Sequence, residues 1–122
     1  MTVSGTLSQT IETDTLQLSG ANGTGVVTLR RFGRVVTINL PNTTKVQQQN
    51  TTQTNLPGWL PNIPPRFRPP ETFVFILPLG AWGTHTNYAR LSINNDGSNA
   101  IGFTPNSIPT STEVAATLTY VV

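Results

Sequence analysis

The alternation of hydrophobic and polar residues predicts short β-strands along most of the chain. In residues 34–40 every second side chain is large and apolar, namely Val36, Ile38 and Leu40. Successive side chains of a strand point to opposite faces, so this two-residue period predicts a half-buried strand. In all, strands are predicted over residues 26–31, 34–40, 72–77, 85–93, 98–103 and 112–121.

Turn-forming residues separate these strands. Phe32 and Gly33 are predicted to form a tight hairpin turn, because glycine adopts the positive φ that such turns require. An Asn-Asn-Asp-Gly turn follows at 94–97, and residues 19–25 and 104–109 are also predicted to be turns or loops. Turns at intervals of about 8 to 12 residues are typical of an antiparallel β-sandwich or barrel. The polar residues 41–54 are predicted to form either an exposed strand or a loop.

The stretch of residues 56–70 contains six prolines. Proline lacks the backbone donor and favours an extended conformation in the residue before it. We therefore expect an extended strap that is neither helix nor central strand. Arg66 and Arg68 lie on either side of Phe67 in this strap. Their guanidinium groups are expected to bond carbonyl or carboxylate oxygens, because such a strap leaves backbone carbonyls unpaired.

The strand predicted at residues 72–77 is apolar on both of its faces. Phe73, Phe75 and Leu77 lie on one face, and Val74 and Ile76 on the other. A strand that is apolar on both faces is usually covered on both faces. In so small a domain a second copy of the chain is expected to provide one of the covers, and Phe73, Phe75 and Leu77 are the predicted interface residues.

Composition supports an all-β domain. The chain has 122 residues, which suits one domain, with 21 threonines, 11 asparagines and only 10% charged residues. This composition fits pleated sheets better than a helical bundle. Cysteine is absent, which excludes a disulfide framework. The net charge of +2 is dispersed along the chain, which disfavours nucleic acid as a partner. Neither a signal peptide nor a membrane-spanning segment is expected.

Catalytic residues are sparse. His85 is the single histidine, and the chain has no Gly-x-Ser-x-Gly motif around a nucleophilic serine. One histidine and five scattered carboxylates also give no metal-binding pattern. A non-enzymatic protein without a metal or cofactor is therefore expected.

Binding is better supported than catalysis. The candidate saccharide-binding residues are Trp59, Trp82, His85, Tyr88 and Arg90. A loop tryptophan can present its ring to the C–H bonds of a sugar while polar neighbours bond the hydroxyls. Each tryptophan can equally pack beneath a loop or at a subunit contact. His85 is either a polar ligand or a structural residue at a strand start. Tyr88 and Arg90 face outward and suit a binding site or a trimer interface.

Five motifs in order resemble the C-terminal head domains of bacteriophage tail-fibre and baseplate receptor-binding proteins. They are Arg31-Phe-Gly-Arg-Val-Val-Thr37, Ile63-Pro-Pro-Arg-Phe-Arg-Pro69, the strand at 72–77, Leu91-Ser-Ile-Asn-Asn-Asp-Gly97 and Leu118-Thr-Tyr120. The resemblance covers residues 25–122, which would form the head, while residues 1–24 are an N-terminal strand or the end of a shaft. Trp59 and the polar segment before it depart from the pattern.

The resemblance implies a homotrimeric β-structure on a virion, at a tail tip or fibre assembled in the host cytoplasm. Such heads bind saccharides or teichoic-acid-like polymers on the host cell surface and assemble with other fibre or baseplate proteins. Three linked sites would raise avidity by about 10² to 10⁴. Two alternatives stay open at this point: a structural capsid or fibre protein with an assembly role only, and a carbohydrate-binding module of an enzyme.

Overall fold

The computed structural model of the chain describes residues 10–47, 55–79, 87–103 and 112–122. Its strands are β1 (Glu12–Gln17), β2 (Val26–Phe32), β3 (Val35–Val46), β4 (Asn55–Pro57), β5 (Phe73–Leu79), β6 (Asn87–Ile93), β7 (Asn99–Gly102) and β8 (Thr112–Val121). Within the described residues they form two antiparallel four-stranded sheets. The first sheet has the order β1-β2-β3-β8 and the second the order β4-β7-β6-β5. The predicted all-β antiparallel fold is thus confirmed.

The hairpin between β2 and β3 differs from the prediction by one residue. Phe32 pairs with Val35, so the turn consists of Gly33 and Arg34 rather than of Phe32 and Gly33. Gly33 has a φ of 60°, in the region that a two-residue hairpin turn requires. Arg34 binds the last residue of the chain, because its backbone oxygen accepts from the N–H of Val122 and its Nε donates to the Val122 oxygen, both at 2.8 Å.

β3 is longer than its sequence pattern indicates. The register with β8 shifts between Leu40 and Thr44, where β3 carries a bulge, and pairing then resumes to Val46. Thr44 and Val46 are fully buried. Residues 41–46, predicted to be an exposed strand or a loop, therefore continue a strand whose inward face is in the core. The sequence conceals this continuity, because Asn42 in the bulge is exposed and Thr44 is polar, so the apolar alternation stops at Leu40.

The inner faces of the two sheets share one hydrophobic core. Val36, Ile38 and Leu40 point into it, as the alternation in β3 predicts. Leu16 and Leu18 also belong to it, so this part of residues 1–24 packs with the rest of the sandwich. β1 enters the first sheet at the end where the β2–β3 turn lies, and β8 leaves it at that same end. The bulge of β3 lies toward the opposite end.

The proline-rich strap crosses between the sheets. Its first residues form β4, an edge strand, which is a position that tolerates proline. The prediction that the strap contains no helix is wrong for one short piece. Pro65–Phe67 forms a single 3-10 turn, which proline permits because the first N–H groups of a helical turn need no partner within it. Phe67 is buried in the core.

Two buried asparagines hold the start of the strap. Asn22, from the β1–β2 loop, donates its Nδ2 to the Trp59 oxygen at 2.6 Å. Asn99, at the start of β7, accepts from the Leu60 N–H at 2.8 Å and donates to the Leu60 oxygen at 2.9 Å. Both side chains are more than nine-tenths buried. One asparagine from each sheet thus satisfies the backbone of residues 59–60.

The arginines of the strap bond protein oxygens, which confirms their predicted role. Arg66 forms a two-point ion pair with Glu12, in which Nε lies 3.0 Å from Oε2. Hydrogen bonding to Arg66 holds the pKa of Glu12 below its ordinary value. Arg68 donates from Nε to the Ile63 oxygen at 2.7 Å. These contacts fix the strap against β1 and against itself.

The strap also meets the closing strand at Tyr120. The Tyr120 hydroxyl donates to the Phe67 oxygen, and its ring stacks on Phe73 with centroids 5.6 Å apart. Burial raises the pKa of Tyr120 to about 12, because a phenolate is poorly solvated there. Residue 120, on the inward face of β8, is therefore where the strap, β5 and the first sheet meet.

The predicted interface residues of β5 face the domain's own interior. Leu77 is 2% exposed, and Phe73 and Phe75 are half-buried and pack on Tyr120. We therefore correct the prediction that these three side chains form a subunit interface. The sequence could not show the direction, because both faces of this strand are apolar. Val74 and Ile76 are the side chains that point outward.

Candidate functional site

The outer face of β5 and β6 carries a group of large apolar residues that are exposed to solvent. Ile76 is 64% exposed, Tyr88 60% and Val74 43%. In the register of the two strands Ile76 lies opposite Arg90, and Pro78 lies opposite Tyr88. These five residues are named the β5–β6 face. As predicted, Tyr88 and Arg90 point outward.

The β5–β6 face combines an apolar surface with two polar groups. Arg90 carries the charge, and its guanidinium can donate in two parallel bonds to carboxylate or phosphate oxygens. Tyr88 offers a phenol ring and a hydroxyl that can donate and accept. Exposed apolar surface rimmed by polar residues is typical of an interaction site. The geometry therefore suits contact with a partner surface or a polyhydroxylated ligand.

Trp59 is buried in this structure. It is 5% exposed, and its indole N–H donates to the Lys45 oxygen at 3.0 Å. A ring that is buried to this degree offers no face on which a sugar can stack. We therefore correct its proposed role. Trp59 packs beneath the β1–β2 loop, which was the alternative reading of its position.

The remaining candidates, Trp82 and His85, lie outside the described residues. Among the residues that the structure does describe, no cluster of histidine, cysteine and carboxylates is arranged to hold a metal ion. Nor do the described residues include a helix long and apolar enough to cross a membrane.

A polar crevice lies at the bulge end of the first sheet, on the side where the β1–β2 loop meets β3. Its volume is about 390 Å³, and it is lined by Gly20, Gly23, Thr24, Asn42, Thr43, Lys45, Gln47 and Glu113. No motif in the sequence marks these residues as a group. They come from three distant segments, and the bulge in β3 sets which of them meet.

The whole-chain fold is similar to a solved structure. No protein-family model matches the sequence, and neither does any curated protein. The similar structure is the crystal structure of the head domain of phage bIL170, from work on the receptor-binding domains of lactococcal phages. It superposes with a TM-score of 0.62 over 93% of this chain and 99% of that one, with 18% identical residues. The chain shares the fold of that head domain.

The likeness in fold confirms the resemblance that the motifs suggested. At 18% identity it extends to architecture and carries no binding residue from the lactococcal head to this one. The motifs occupy structural positions in this chain: Arg31-Phe-Gly-Arg-Val-Val-Thr37 spans the β2–β3 hairpin, and Tyr120 anchors the strap. These two motifs therefore have structural roles in this chain.

Proposed function

We propose that this chain is the non-enzymatic receptor-binding head of a bacteriophage, which attaches the virion to a saccharide on the host cell surface. The observation that carries the proposal is the fold it shares with a lactococcal phage head over nearly the full length of both chains. In this proposal the protein belongs to the virion, at a tail tip or fibre, and its other partners are fibre or baseplate proteins.

In the proposed site, loop aromatics and polar groups bind a saccharide or a teichoic-acid-like polymer. Trp82 and His85 remain the proposed ligands from the sequence. Tyr88 and Arg90 support the proposal because both are exposed on one face. Tyr88 begins the described side chains of β6, three residues after His85 in the chain.

The head is proposed to act as a homotrimer. The support is the β5–β6 face, where Val74 and Ile76 remain exposed in a single copy. Association of copies through this face would remove large apolar side chains from water, at about 25 cal/mol for each Å² of apolar surface. A trimer also turns weak single-site saccharide contacts into strong attachment.

The experiment combines mass and adsorption. Light scattering is expected to give three times the monomer mass of 13.2 kDa. The labelled protein is then applied to a panel of bacteria and to their purified cell-wall polysaccharides. Trp82→Ala is expected to lower adsorption by about tenfold or more while the trimer persists. Phe32→Ala removes an exposed aromatic ring from the first sheet and serves as the control, with unchanged adsorption.

A monomer that adsorbs to no cell or wall preparation would refute the proposal. An assembly role alone predicts a trimer without adsorption, and the exposed β5–β6 face is the observation that favours this second candidate. A carbohydrate-binding module of an enzyme predicts an adsorbing monomer. The two measurements together separate all three functions.

A further inference from the structure

The crevice beside the β1–β2 loop has rigid walls. The Lys45 N–H donates to the Asn22 oxygen at 2.9 Å, and the Thr43 hydroxyl donates to the Thr24 oxygen at 2.5 Å. Gly23 has a φ of 108°, and a Cβ at this position would lie 2.1 Å from the Thr43 oxygen. Only glycine allows so close an approach of loop and strand. The cleft therefore exists before any ligand arrives, which lowers the entropic cost of binding.

Trp59 supports the same wall from behind. Its indole N–H bonds the Lys45 oxygen, and its own oxygen accepts from Asn22, the residue whose carbonyl binds the Lys45 N–H. The backbone of Lys45 is thus fixed by two bonds. Its N–H binds the β1–β2 loop, and its carbonyl binds the strap. These bonds make Trp59 and Asn22 positioning residues for the crevice.

The crevice contains one positive and one negative side chain among hydroxyl and amide groups. Lys45 and Glu113 are direct cross-strand partners in β3 and β8, which places their Cβ atoms roughly 5 Å apart. Among the described residues the ion pair is that of Arg66 with Glu12, so the Lys45 ammonium and the Glu113 carboxylate are not in ion-pair contact with each other. Thr24, Asn42 and Thr43 add hydroxyl and amide groups around them.

We propose that this crevice binds a neutral saccharide unit of the host cell wall, in a site separate from the β5–β6 face. The inference rests on the proposed function and names the class of sugar. An ammonium group donates to sugar hydroxyls and a carboxylate accepts from them, so a lysine and a glutamate side by side suit two neighbouring hydroxyls. A volume of about 390 Å³ lies within the range of small-ligand clefts.

Phosphate-bearing polymers fit the crevice poorly. A phosphate that approached Lys45 would also approach the Glu113 carboxylate, and like charges at such separations repel. The site has no net charge from this pair, whereas phosphate sites in proteins concentrate cations or backbone N–H groups. The crevice therefore favours a neutral hexose or N-acetylhexosamine unit over a glycerol phosphate unit.

The test is ligand titration followed by amide NMR on the full chain. The probes are glucose, galactose, rhamnose, N-acetylglucosamine and glycerol 3-phosphate. At least one neutral sugar is expected to shift the amide signals of Thr43, Lys45 and Glu113, with no comparable effect from glycerol 3-phosphate. Lys45→Met and Glu113→Gln are each expected to weaken that sugar's binding by about tenfold or more. Glu71→Gln, an exposed carboxylate outside the crevice, is the matched control and should change nothing.

Glu113→Lys provides a readout that a purely structural role would not give. Two adjacent lysines should lose the neutral sugar and gain affinity for glycerol 3-phosphate. The inference is overturned if no neutral sugar shifts the crevice signals, if the shifts lie elsewhere, or if Glu113→Gln binds like the wild type. Adsorption of the wild-type protein to whole cells tests the proposed function separately. If the crevice variants adsorb to cells normally, this inference is wrong, while the proposed receptor-binding function still stands.

Discussion

The proline-rich strap and the β5–β6 face are both rich in apolar residues, but they differ in how far one copy of the chain buries them. The strap is closed within one copy: Asn22, Asn99 and Tyr120 satisfy its backbone, and Phe67 is buried. The β5–β6 face keeps Ile76 and Tyr88 more than half exposed. The contacts of the strap therefore stabilise the fold of a single chain, whereas the β5–β6 face is free to contact a partner. Substitutions should therefore affect folding in one region and association in the other.

The largest effect is expected at Asn99 in the strap contact. Asn99→Ala removes both bonds to Leu60 and leaves a buried N–H and carbonyl without partners. We expect a loss of about 3 kcal/mol in the free energy of unfolding, measured by urea denaturation. Asn62→Ala changes an exposed asparagine of the same strap and should cost less than about 0.5 kcal/mol. Equal losses in the free energy of unfolding for the two variants would contradict the role of Asn99 in holding the strap.

On the β5–β6 face, Ile76→Ser should weaken association without unfolding the domain. Ile76 is 64% exposed, so its apolar surface gains little from folding and much from contact with a second copy. We expect the dissociation constant, measured by sedimentation equilibrium, to rise by about tenfold to a hundredfold. Val35→Ser changes an exposed residue of the first sheet and is the control. An unchanged dissociation constant for Ile76→Ser would place the interface elsewhere.

A smaller loss is expected when the hydroxyl of Tyr120 is removed. Tyr120→Phe keeps the ring stacked on Phe73 but leaves the Phe67 carbonyl unpaired. We expect a loss of about 1 to 2 kcal/mol in the free energy of unfolding. Tyr88→Phe removes the hydroxyl of an exposed tyrosine and should change this quantity by less than about 0.5 kcal/mol.

Alkaline pH should weaken the same contact. The pKa of Tyr120 is raised to about 12 in the folded chain, above the ordinary value of 10.0. Between these values the unfolded chain releases the proton while the folded chain retains it, so stability falls as pH rises through this window. The loss in the free energy of unfolding approaches about 2 kcal/mol. It is measured as the difference between wild type and Tyr120→Phe in urea titrations at increasing pH. Parallel pH profiles for the two proteins would refute the assignment.

The smallest effect is expected at the exposed ion pair that links the strap to β1. The pKa of Glu12 is lowered chiefly by its hydrogen bonds to Arg66, so the pair contributes stability above the ordinary carboxyl pKa and loses it as pH falls. Both side chains are well exposed, and solvent and salt screen them. Glu12→Gln should shift the urea midpoint slightly at neutral pH and low salt, and the shift should vanish at acid pH.

Strands with strict alternation could be predicted from the sequence, and those with ambiguous faces could not. The closing strand was predicted at residues 112–121, which are the bounds of β8, and the inward face of β3 was also correct. The direction of β5 was not readable, because its orientation depends on the Tyr120 ring in a distant strand. Thr44 looked solvent-exposed from its residue type, although it is fully buried.

The candidate site was harder to predict than the fold. Trp59 was a reasonable surface candidate, because no local pattern shows that its indole meets the Lys45 carbonyl. The crevice joins residues 20–24, 42–47 and 113, and the meeting of Lys45 with Glu113 depends on a register shift within β3. Residue types and spacing do not encode a register shift of this kind.

The position of the first sheet's two terminal strands has a practical consequence. β1 enters and β8 leaves beside the Gly33–Arg34 turn, some nine or ten residues along β3 from Lys45. At about 3.3 Å of rise per residue, the crevice lies roughly 30 Å from that turn. Immobilising the protein through Val122, which follows β8, should leave the crevice facing the solution, so one sensor chip could present this cleft to intact bacteria without masking it.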